Sequence, residues 1–156
     1  MIIHHYTPER FVNSIVQNRE LWLECENTGR RSIDPSISSD ERLYRQQEWK
    51  MLKKSFKFTG RWLWFTQEDV PPQTISHHDE KIFRFSVDTS DLKVHRWKDV
   101  SRRLKSKGGK YRKHIEGLEQ QSRLEGDDPD KWWVSPSKLP IEKCQQQVSV
   151  FSSEPI

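Results

Sequence analysis

The chain opens on an apolar pair followed by rings, Ile2-Ile3-His4-His5-Tyr6-Thr7, and then changes period, with Phe11, Val12, Ile15 and Val16 recurring at helical spacing. Residues 2–6 read as a strand. Thr7-Pro8-Glu9-Arg10 reads as a helix start, because a Thr hydroxyl can accept from first-turn amides and Pro suits the first turn. A short strand at 21–23 follows, then a polar stretch from 24 to about 39 with Gly29 and Pro35, which predicts a loop. Ser39 or Asp40 is placed to cap a helix through about Lys54, with Leu43, Gln47 and Met51 along one side and Trp49 and Leu52 along another.

Residues 61–66, Arg-Trp-Leu-Trp-Phe-Thr, are too rich in aromatics for a surface turn and predict a strand, after which Pro71-Pro72 breaks the chain. Residues 81–87 alternate polar and apolar with period two, as a half-buried strand does, and 92–97 read as another. A helical region runs from Trp97 to about Leu124, with Gly108-Gly109 as a break. Past the acidic turn at 126–130, strands are expected at 132–135 and 147–151, joined through Leu139-Pro140-Ile141. There is no internal repeat. Short strands interleaved with helices make the class α+β, and 156 residues make one domain.

Imidazoles in a first strand call for an explanation, since a strand that only packs has no use for them and a buried polar group needs a partner. Alternation puts His4 and His5 on opposite faces, so one faces in and one out. The exposed one is then surface, and the buried one either serves a site or bonds a backbone carbonyl. Trp62 and Trp64 likewise share one strand face and Leu63 and Phe65 the other, so one set is core and the other is free to line a cleft. His77-His78-Asp79-Glu80 looks like a metal cluster, but adjacent side chains diverge, and no metal is expected.

Composition adds a compartment and a polarity. Apolar residues are only 32 %, yet seven Trp and seven Phe supply large packing units that disordered chains lack. No run approaches a membrane span and no basic-then-apolar leader is visible, so a cytoplasmic protein is expected. Cys25 and Cys144 lie far apart without a CxxC, which argues for reduced thiols. Segment 93–113 carries ten Lys or Arg against Asp99 alone, a charge of +9 in a chain whose net is +4, which leaves the remainder at −5. Arg102, Arg103, Lys105, Lys110 and Arg112 are therefore candidates for contact with phosphates or an acidic partner, against the plainer reading of a solvated helix face.

The order of a His5-Tyr6-Thr7 strand, a helix, a Leu-Trp-Leu strand, a long loop and a Gly60-to-Thr66 strand (GRWLWFT) resembles the ADP-ribosyltransferase superfamily, particularly its small bacterial and phage members. The resemblance implies a split pair of small antiparallel sheets with flanking helices, with NAD as substrate in the cleft between them. It implies one domain over 1–156 with a basic helical insertion at about 97–124. On the matching positions, His5 would bond the ribose beside the nicotinamide, while the backbone at Tyr6 and Thr7 would grip its carboxamide. Trp64 or Phe65 would wall the ring and Thr66 would support it. The family's final strand usually bears a glutamate; here Asp130 stands nearest, with Asp128 and Glu142 farther from the expected place.

What the resemblance implies is an NAD-dependent mono-ADP-ribosyltransferase, of the toxin or phage-effector kind, with Asp130 and His5 catalytic and a protein or nucleic-acid target chosen through 93–113. The alternative is a noncatalytic module of the same fold, or an unrelated basic domain, that binds nucleic acid or a partner protein. The chemistry suits these residue types, because breaking the bond between nicotinamide and ribose builds positive charge on the sugar, which a nearby carboxylate stabilises. The enzyme reading requires an imidazole from the first strand and rings from 61–66 to meet at one crevice.

Overall fold

In the computed structural model the described residues are 1–21, 38–44, 46–47, 62–72 and 81–148. Strand β1 (Ile2–Pro8) is the organising element: it pairs antiparallel along its whole length with β4 (Ile82–Asp88), from Ile2↔Asp88 to Pro8↔Ile82, and on its other edge meets β3 (Leu63–Thr66) at His4↔Thr66. Strand β6 (Trp132–Ser135) pairs with β3, β5 (His95–Arg96) with β6, and β8 (Gln145–Val148) with β4, giving an antiparallel sheet in the order β5-β6-β3-β1-β4-β8. A second, two-stranded antiparallel sheet joins β2 (Glu20–Leu21) to β7 (Leu139–Pro140). The class is α+β.

The first helix, α1 (Glu9–Asn18), starts differently from the sequence expectation. Thr7 stays in the ladder opposite Phe83 and caps nothing, and Pro8 takes the N-cap position while the Glu9 amide donates to the Lys81 carbonyl at 2.9 Å. A side-chain cap contributes only about 1 kcal/mol, less than continuing a two-sided strand. Arg19 ends the helix in the left-handed region, φ 58, with its amide on the Val16 carbonyl. Ile15 is buried, but Val16, expected on the same face, is 52 % exposed. At 39–44 the chain is helical, with Ser38 rather than Ser39 or Asp40 accepting from the Glu41 amide. The rest of that expected helix, residues 22–37, Gly60, Arg61 and the 77–80 cluster lie outside the described residues.

Two cores lie on opposite faces of the large sheet. On one face Ile3, Leu63, Phe65, Phe85 and Val87 pack with Ile15 of α1, Leu21 of β2 and Leu139 of β7. On the other, at the β3–β6 end, Trp62 and Val134 pack with Trp97, Val100 and Leu104 of α2 (Trp97–Ser106) and Ile115 of α3 (Gly109–Leu124). The basic region is thus a helical hairpin anchored by an aromatic core and broken at Gly108 and Gly109, both at positive φ. Residues 92–94, expected in a strand, precede β5, and Trp97 starts α2. Among the described residues no helix is long and apolar enough to cross a membrane.

Candidate functional site

Register partners on neighbouring strands share a face, so the ladder sorts every candidate side chain. His5 lies opposite Phe85 and its ring stands 5.9 Å from that of Phe65, edge to face, at the side of the first core to which both phenylalanines belong. Its Nδ1–H donates to the Trp64 carbonyl at 2.8 Å, and burial holds its pKa below the usual value, so it is a neutral, half-buried imidazole with one ring nitrogen bonded to the backbone. Phe65 is 3 % exposed, and Thr7 is buried on the same face. The His5 and Phe65 rings stand too close for a third ring to lie between them. Adjacent strands lie only about 4.8 Å apart, and side chains in contact across that spacing leave no room for a nicotinamide ring.

The other face of the same strands is polar. His4 is 7 % exposed, with Nδ1 2.7 Å from Ser86 Oγ and Nε2 3.3 Å from Asp69 Oδ1. The neutral tautomer satisfies both contacts: Ser86 donates to Nδ1, and Nε2–H donates to Asp69. Burial, and then the positive charge of Arg84, lower the His4 pKa, while the Asp69 carboxylate opposes them. Tyr6, on the same face, donates its hydroxyl to the Glu68 carbonyl at 2.8 Å and is hydrogen-bonded by the Arg84 side chain, and burial raises its pKa.

Residues 67–70 bring these partners in by folding back over the face. Thr66 Oγ1 accepts from the Glu68 amide at 3.1 Å, the Gln67 amide donates to the Lys131 carbonyl, and Trp133 Nε1 donates to Gln67 Oε1 at 2.7 Å. The result is a cluster of His4, Tyr6, Thr66, Arg84 and Ser86 with Asp69 at its rim, 88 % exposed. Such a cluster can orient hydroxyl groups, place a guanidinium against an anion and present one carboxylate to solvent. Ser86, at 8 % exposed, serves to fix the imidazole rather than to meet a substrate.

Trp64 faces the same side but is committed to Trp97 and Trp132, with ring centroids 4.8 and 5.6 Å away, and stays half-buried. Asp130 is not with His5. It lies in the Pro129–Lys131 turn, exposed, with Oδ1 3.4 Å from Arg123 of α3, on the hairpin side of the sheet, whereas His5 is on the opposite face beside Phe65 and Phe85. Arg123 also lies within 4 Å of Glu119 and Asp128, so Asp130 belongs to a structural ion cluster. Asp128 caps the turn by accepting from the Asp130 amide, and Glu142 reaches Arg19.

Among the basic candidates Lys105 is spent on Glu119 at 2.9 Å, while Arg102, Arg103, Lys110 and Arg112 are exposed on the hairpin. Arg84, Ser86 and Asp69 were not singled out from sequence. The available signal was that Arg84 and Ser86 are among the polar members of the alternating 81–87 strand. No group of three metal-binding side chains occurs among the described residues. No protein family, curated protein or solved structure compared with the chain matches it.

Proposed function

We propose that this chain is an NAD-dependent mono-ADP-ribosyltransferase acting on a protein or nucleic acid, with its NAD contact surface on the His4 face of the sheet rather than the His5 face. The observation that carries it is the direct pairing of the two motif strands at His4↔Thr66, beside a partly buried Arg84 and an exposed Asp69. In this reading neutral His4, fixed by Ser86, donates through Nε2–H to Asp69 and holds that exposed carboxylate toward the ribose, and Tyr6 and Thr66 hold the turn that borders the site. Arg84 supplies charge for the pyrophosphate. Asp69 takes the carboxylate role first sought at Asp130, since it is the acid that reaches the imidazole and faces solvent. The pair of antiparallel sheets then corresponds to the family's split sheets.

Titration with NAD, followed by Trp fluorescence, tests binding, because Trp64 shares the face. His4→Gln is expected to weaken the response at least tenfold, whereas Asp69→Asn is expected to keep it and to abolish transfer of label from NAD to lysate targets, read by mass spectrometry. Binding by the natural chain without any transfer would make it the noncatalytic module. No fluorescence or thermal-shift response at millimolar NAD would end the NAD reading.

A further inference from the structure

The hairpin of α2 and α3 concentrates positive charge on a surface that the sheet site does not use. Its inner side, Trp97, Val100, Leu104 and Ile115, is locked into the second core, so the outward side is held rigidly. On that side Lys98, Arg103, Lys110, Arg112 and Lys113 are exposed and pair with no carboxylate among the described residues. Arg102, 4.0 Å from Asp99, adds a sixth charge. The first turn of α3 holds no acid, although cations there oppose the helix dipole and cost stability.

We propose that this face binds the phosphate backbone of nucleic acid. An acidic protein partner would need an apolar centre to its interface, and a membrane would need apolar side chains to insert. The hairpin's outward face offers neither: among the described residues the one large exposed hydrophobic on it is Leu124, at the far end of α3. Phosphate contact needs only charge and reach. The ten residues of α2 run about 15 Å. That length passes roughly four phosphates of one strand. Gly108 and Gly109 at the tip have nothing within 4 Å of where a Cβ would stand, so backbone approach there is open. Because the contacts are with backbone, sequence preference is expected to be weak.

Fluorescence anisotropy of a labelled mixed-sequence duplex DNA and of a single-stranded RNA, without NAD, tests this independently of the transferase reading. Five phosphate contacts predict a log–log salt slope near roughly −4.5 on duplex, and so a loss on the order of 10²- to 10³-fold from about 50 to about 200 mM salt. The triple variant Arg103→Gln, Lys110→Gln, Arg112→Gln is expected to shallow the slope by about 3. Lys81→Gln, Lys138→Gln, Lys143→Gln, which removes the same charge elsewhere, is expected to leave it unchanged. Circular dichroism checks that both variants fold. Binding that ignores salt, equal effects of the two triple variants, or competition by poly-glutamate as strong as by nucleic acid would overturn the assignment.

Discussion

Acidification below about pH 6.5 is expected to withdraw stability through the two adjacent histidines of β1. Both have pKa values held below that of an ordinary imidazole, His4 by burial and then Arg84, and His5 by burial. The unfolded chain therefore binds more protons than the native one as pH falls through 6.5. The contribution of each is complete above that pH and is lost progressively toward its lower folded value. Each group can supply a slope of up to about 1.4 kcal/mol per pH unit, and the pair up to about 2.7, against a typical domain stability of about 5–15 kcal/mol.

Ordinary carboxylates titrate lower, near pH 4, and stay out of the upper part of this window. Urea unfolding at several pH values between about 5.5 and 7.5, followed by Trp fluorescence, measures the slope. His4→Gln and His5→Gln should each remove about half of it. Asp69→Asn should carry the loss to lower pH, because it deletes the carboxylate that raises the His4 pKa. An unfolding free energy that stays level between about pH 6.5 and 5.5, or that rises, would refute the burial argument for both imidazoles.

Three further outcomes are expected. Trp97 is fully buried with no hydrogen-bond partner for Nε1 among the described residues, so Trp97→Ala should cost about 3–5 kcal/mol in urea unfolding, while Trp97→Phe, which also removes an unsatisfied N–H, should cost clearly less. Arg19 sits at φ 58, and Arg19→Gly should raise the unfolding free energy by up to about 1 kcal/mol, with its exposed contact to Glu142 offsetting little. Burial pushes the Cys144 thiol up to about 11, so its reaction with a disulfide reagent at neutral pH should be slow and should quicken on adding denaturant.

Much of the skeleton was legible from local pattern. The strands at 81–87 and 132–135 and the glycine break between two basic helices are found within a residue of the expected places, because alternation and breaker residues act over a few positions. The candidate site was less legible. Alternation left the buried imidazole either a site role or a bond to a backbone carbonyl, and His5 makes a bond of the second kind with Trp64. That His4 would be the more buried of the two did not follow, because the cover comes from residues 67–70 folding back, a non-local event. Nor could nearness to β6 along the chain give the partner of Asp130, whose exposed carboxylate lies 3.4 Å from Arg123 of α3.

Taken alone, the order of residues determined the α+β class, the side chains that share each strand face, and the separation of a cationic helical arm from an acidic remainder. Only the tertiary structure decided which face of β1 became apolar core and which became a polar cluster with Ser86, Arg84 and Asp69. The physical reason is range. Backbone geometry repeats every two residues and can be read in place, whereas a buried polar group is defined by its partners, and these arrive from strands and turns dozens of residues away.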